Sequence, residues 1–193
     1  MNKILLGVIA VVVLMGLWVM GSYNGIVSLD QSAKTKWADV EGQYQRRLDL
    51  IPNLVATVKG AGKFEQETLA QVVQARASAT QVVIDPNKLD SASLQKFQSA
   101  QGEVSSALGR LLAVSEAYPI LKATDTYRDL MSQLEGTENR IAVARKDFND
   151  AVKSYNTRVV QFPGNILAGM FGFEQKGFFT ADKGAEKSPT VSF

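Results

Sequence analysis

The sequence predicts an all-α protein: an N-terminal transmembrane helix, then an antiparallel up-and-down four-helix bundle, then a Phe-rich C-terminal segment. Three observations carry this reading. Residues 4–29 contain no charge, four later segments repeat apolar residues every three or four positions, and no stretch alternates with the period of a strand. The chain divides accordingly into an anchor (1–29), a helical bundle (30–161) and a hydrophobic segment with a tail (162–193). At 193 residues, with 46% hydrophobic composition, the soluble part has room for one core.

The anchor opens with the run Ile4 to Met20, apolar apart from small residues. A helix rises about 1.5 Å per residue against a hydrocarbon layer of about 30 Å, so about 20 residues span it, and Trp18 and Tyr23 fall where an interfacial aromatic belt would lie. The competing reading is a cleaved signal peptide, whose apolar region runs about 7–15 residues. The longer run here, and the poor match of Val19-Met20-Gly21 to a cleavage site, favour an uncleaved anchor. Lys3 and the amino group on the short side, against Asp30, Lys34 and Lys36 on the other, place the N-terminus in the cytoplasm. The expected location is therefore the cell membrane, crossed once, with the body periplasmic or external.

Trp37, Val40, Tyr44, Leu48, Ile51, Val55 and Val58 mark the first bundle helix, with Pro52 predicted to kink it and Gly60-Ala61-Gly62 to break it. A second helix carries Phe64, Leu69, Val72, Val73, Ala79 and Val83 and stops at Asp85-Pro86-Asn87. A third starts at an Asp90 or Ser91 cap and places Leu94, Phe97, Gln101, Val104, Leu108, Leu111, Ser115 and Tyr118 on a coiled-coil-like heptad seam. The fourth runs from about Thr124 to Gln161, on a stripe from Tyr127 to Val159. In this order Gln161 returns to the bilayer surface. Residues 162–179 then hold five of the nine phenylalanines. They either fold back to cap the bundle or form an interfacial or subunit contact, for which Phe162, Ile166, Leu167, Met170, Phe171, Phe173, Phe178 and Phe179 are the candidates, together with Trp18 and Tyr23. Residues after Thr180 have the small, polar and charged composition of a disordered tail, ending in Val191-Ser192-Phe193.

Composition narrows the chemistry. Zero Cys and zero His exclude thiolate sites, the Ser-His-Asp triad and the usual zinc and di-iron motifs. A net charge of +2 is too small for a nucleic-acid binder. Gly60-Ala61-Gly62-Lys63 lacks half of a phosphate loop. No catalytic residue, cofactor site or metal site is assigned. Charges near the seams read as register-fixing ion pairs, with Glu41, Arg47, Asp49, Glu138 and Arg145 as candidates and Asp49 expected beside Arg145. The alternative gathers Glu41, Asp49, Glu135 and Glu138 as carboxylates for acid/base work or a divalent cation.

Several blocks together resemble the LemA family of bacterial membrane-anchored proteins. They are Gln45-Arg46-Arg47-Leu48-Asp49-Leu50-Ile51-Pro52-Asn53-Leu54-Val55, Ala75-Arg76-Ala77, Ala117-Tyr118-Pro119, Leu134 to Arg145, Tyr155-Asn156, and Phe162-Pro163-Gly164-Asn165 through Phe173. The resemblance implies a single-pass protein with a four-helix bundle, and it carries over no catalytic activity or cofactor. Where family members often read Gly-Tyr-Ala and then His-Glu, this chain has Gly60-Ala61-Gly62-Lys63-Phe64-Glu65. The expected function is a non-enzymatic scaffold or adaptor, with the lipid bilayer and further copies of itself as partners. The alternatives are the carboxylate-dependent sensor or enzyme and an anchor subunit for a separate enzyme. On this view, removing 162–179 changes oligomer size or membrane behaviour and leaves helicity largely intact.

Overall fold

The computed structural model describes residues 2–60 and 65–180. Phe64, most of the expected break at 60–62, and all of 181–193 with its Val191-Ser192-Phe193 end lie outside the described residues. Within them the chain is helical, with no strand, and begins with an apolar helix.

α1 (Lys3–Gly60) is one helix of 58 residues. It passes residue 29, where the sequence divides anchor from bundle, without a break. Residues 27–36 contain neither Gly nor Pro, and Asp30 pairs with Lys34 one turn later at 2.8 Å, the favourable order of charges along a helix. The helix also runs through Pro52. Proline has no amide to give to the carbonyl four residues back, so Leu48 O loses its helical donor. Arg76 of α2 (Gln66–Thr80) supplies the replacement, its Nε donating to that oxygen at 2.8 Å. Two separate sequence blocks thus complete one hydrogen bond. Arg76→Leu should cost about 1–2 kcal/mol by orphaning that carbonyl, and less once Pro52→Ala restores the helical donor. A double-mutant cycle on denaturant midpoints reads the difference, and equal costs in both backgrounds would contradict the pairing.

α2 ends at Thr80, short of the Val83 expected from its stripe. Residues 82–85 extend instead, leaving Val83 exposed and sending Ile84 into the core. Asp85 then accepts from the Asn87 amide at 2.9 Å to form the turn. α3 (Ser91–Ser115) starts on Asp90, whose side chain accepts from Ser93 N. The one-turn α4 (Pro119–Lys122) leads into α5 (Asp125–Val160), capped by Thr124. α5 runs antiparallel to α1, with Ser22 by Arg158, Lys36 by Asp147 and Arg47 by Glu138. A cis Phe162-Pro163 peptide precedes α6 (Gly164–Phe171). Gly172, at φ 73°, ends α6 in the left-handed conformation that glycine adopts without strain, and Phe173 N bonds back to Ala168 O.

The core forms three clusters along the rod. The cluster far from the anchor joins α1, α2, α3, α4 and α5, from Leu54 and Val58 to Leu111, Leu121 and Tyr127. The middle cluster centres on Trp37, with Phe97 and Phe148 edge-on at 5.2 and 5.6 Å and Phe179 stacked at 6.1 Å. The third packs Ile26 of α1 against Tyr155 and Val159 of α5 and Leu167 and Ala168 of α6.

Candidate functional site

The first candidate surface is the outside of α1. From Ile4 to Met20 its large apolar side chains are exposed apart from half-buried Val19, and α1 is long and apolar enough to cross a bilayer. The body begins abruptly above this run, with Ser22 and Ile26 buried against the end of α5 and α6.

The Phe-rich segment splits in two. In its first half Phe162, Ile166, Met170 and Phe171 are exposed, with Phe171 edge-on to Tyr23 at 4.9 Å. Leu167, turned toward the body, is buried, so it is not the surface contact expected from sequence. The second half, residues 173–180, is an extended strap laid back over the body. Asn156 clamps Lys176 through both main-chain groups, each at 2.8 Å, and Asn149 does the same for Phe179 at 2.9 and 3.0 Å. Gly177 N donates to Leu89 O, and a Cβ at Gly177 would lie 2.7 Å from Ser91 Cα, so only glycine passes this close to the α3 start. Phe179, 6% exposed, is core rather than contact surface, whereas Phe178 points outward. Removing 162–179 therefore removes α6, the strap and the Phe179 part of the core.

The strap is locked near the anchor by charge. Lys176 Nζ lies 2.7 Å from Asp30 and 4.8 Å from the Tyr155 ring centroid. Burial would raise the Asp30 pKa, but Lys176 and Lys34 overcome it and hold the carboxyl below its ordinary 3.8. Burial pushes the Tyr155 phenol up to about 12, with Asp30 and Glu174 adding to the shift. The signs differ. The depressed Asp30 contributes stability above its ordinary pKa that is lost as pH falls through its folded value. Tyr155 keeps its proton while an unfolded tyrosine ionises near 10, so stability falls as pH rises from 10 toward 12. Tyr155→Phe should flatten the alkaline decline and Asp30→Asn the acid one, read as denaturant midpoints against pH; unchanged profiles would contradict the lock.

A second polar centre lies inside the body. Arg47, 1% exposed, donates from Nη1 to Glu138 Oε1 at 2.9 Å and Ser105 Oγ at 2.8 Å, and from Nη2 to Gln101 Oε1 and O at 2.5 and 3.1 Å. Its guanidinium sits 5.0 Å over the Tyr44 ring. The expected Asp49–Arg145 pairing does not form. The register that seats Arg47 on Glu138 carries Asp49 past Arg145, and Asp49 accepts from Gln45 at 2.8 Å on its own helix. Arg145 donates to Thr180 O and lies over the Phe179 ring. Glu41 is half-buried beside the Trp37 indole, whose Nε1 finds no acceptor in hydrogen-bond geometry. Burial raises the Glu41 pKa and a weak pull from that indole lowers it in part. Glu41 and Asp49 thus have different neighbours, Glu135 and Glu138 line one groove, and among the described residues no three ligating side chains converge.

Beyond Glu138, α3 and α5 stand apart around a groove of about 850 Å³. Its walls include Leu108, Leu112, Tyr127, Met131 and Leu134, with Ser105, Glu135 and Glu138 toward one end.

The Arg47 centre and the strap both fall in a stretch that matches a known family. The LemA family profile covers residues 36–193. The chain belongs to the LemA family. Among relatives of this LemA-family chain, magnetosome proteins MamQ 1 and MamQ 2 of Paramagnetospirillum magneticum are each 29% identical over 187 residues, covering 88% of this chain and 68% of theirs. Protein LemA of Metamycoplasma hominis is 23% identical over 144 residues, 75% of this chain and 62% of that one. Family-like blocks that sequence reading left without a role now have one. Arg76 answers Pro52, and Asn156 holds the strap. The signal for the clamp is Asn149 and Asn156 seven residues apart, two helical turns, beside the Phe148-Val152-Tyr155 stripe.

Proposed function

We propose that this LemA-family chain is a non-enzymatic scaffold of the bacterial cell membrane, crossing it once through α1 and holding an antiparallel four-helix body on the periplasmic or external side. The observation that supports this most is the continuity of α1. One unbroken helix passes from an exposed apolar run into the Trp37 and Arg47 core, so the body is coupled to the bilayer with no flexible linker. Arg47, Arg76, Asn149, Asn156 and Lys176 are engaged in holding helices and strap together, which suits a structural role.

Copies associate through the α3–α5 groove, a broad apolar surface uncovered in a single chain and remote from the anchor. Met131→Glu places a carboxylate in that groove. In native membrane discs it should reduce the assembled species to single chains while α-helix content stays unchanged. An assembly of unaltered mass would remove the groove from this role, and a mass made up by other chains would make the protein an adaptor for them.

A further inference from the structure

We propose that α6, with the Phe162 turn before it, is a second membrane element: it lies at the edge of the hydrocarbon in the leaflet on the body side, with Phe162, Ile166 and Met170 among the lipid chains. This rests on reading α1 as the span. Twenty residues from Ile4 reach Tyr23, and at about 1.5 Å each they cover about 30 Å, one hydrocarbon thickness. α6 is packed at this same height. Leu167 and Ala168 share a cluster with Val19 and Ile26 of α1, and Phe171 meets Tyr23. With Lys3 just outside one face of the hydrocarbon, the body cannot rise clear of the other face without drawing that end of α1 into lipid. α6 is thereby held at the boundary.

The chemistry of the segment agrees with its height. No charge occurs between Arg158 and Glu174, and the stretch packs beside the charge-free part of α1 that ends at Asp30. One side of α6 (Gly164, Leu167, Ala168) is buried on the body. Ile166 and Met170, one turn apart on another side, are 53% and 72% exposed, and Phe162 is 80% exposed. Charges resume immediately above, as Asp30, Lys34, Glu174 and Lys176. Arg158 donates to Ser22 Oγ at 3.4 Å, so its guanidinium marks the edge of the hydrocarbon on the α1–α5 side. An apolar face continuous with the lipid-facing side of α1 and bounded above by charge fits acyl chains as its occupant.

The absence of cysteine makes the test direct. Single cysteines at Ile166, Met170, Leu14 and Ile120 in the full-length protein carry a nitroxide label in vesicles of phosphatidylcholine and phosphatidylglycerol. Spin relaxation by oxygen, which partitions into lipid, is compared with relaxation by a water-soluble nickel chelate. Leu14→Cys reports the span, and Ile120→Cys, 85% exposed at the far end of the body, reports water. Ile166→Cys and Met170→Cys should show oxygen-to-nickel ratios several-fold above that of Ile120→Cys. Water-like ratios at both, with a lipid-like Leu14→Cys, would overturn the α6 proposal and leave the span standing. Labels shielded from both reagents would show α6 covered by protein and overturn it too. A water-like Leu14→Cys would overturn the span and the proposal together.

Discussion

Arg47→Ala should destabilise the protein by about 3 kcal/mol, shifting the denaturant midpoint of full-length protein in detergent far to the left. The substitution removes four donated hydrogen bonds, strands the buried Gln101 side chain and opens space beside Tyr44. The cost falls at the lower end of the range for broken buried ion pairs because Glu138 is 47% exposed and regains water when its partner is lost. For the same reason Glu138→Gln should cost about 1 kcal/mol. Arg47→Lys cannot reproduce the fork to Ser105, Glu138 and Gln101 and should recover little. A loss below 1 kcal/mol for Arg47→Ala would show that this centre does not hold the helices in register.

Phe179→Ala should release the strap. The ring lies between Trp37, Phe148 and the Arg145 guanidinium, and truncating a buried phenylalanine costs about 3 kcal/mol. Because the strap is near the chain end, the loss is expected first in its local opening. Amide exchange at Gly177 and Phe179, whose N–H groups bond Leu89 O and Asn149 Oδ1, should accelerate roughly a hundred-fold while the α1 and α5 interior changes little. Exchange accelerated equally through α5 would mean that strap and body open as one unit.

Sequence periodicity was most informative where one helix face meets one core. The stripe from Tyr127 to Val159 and the Asp90 cap point directly to α5 and α3. Periodicity cannot find a strap, because residues 173–180 are held by main-chain bonds to Asn149 and Asn156, whose partners are remote in sequence. A stripe also carries no stop signal at Thr80, where the need to bury Ile84 and Leu89 below Trp37 overrides the helical spacing that reaches Val83. Charge was legible as residue type and not as pairing. Arg47 and Glu138 stand out near their seams, but a shift of register between α1 and α5 separates Asp49 from Arg145, and spacing within each helix says nothing about that shift. The Phe-rich segment reads as one hydrophobic unit in sequence. Three-dimensional structure divides it into the exposed side of α6 and a surface strap anchored by buried Phe179.

The mass of the full-length protein in native membrane discs tests the scaffold account most directly. The account predicts one discrete species at a whole multiple of the 21.0 kDa chain, converted to single chains by Met131→Glu. A single chain in the unsubstituted protein, or a mass supplied by other polypeptides, would contradict it.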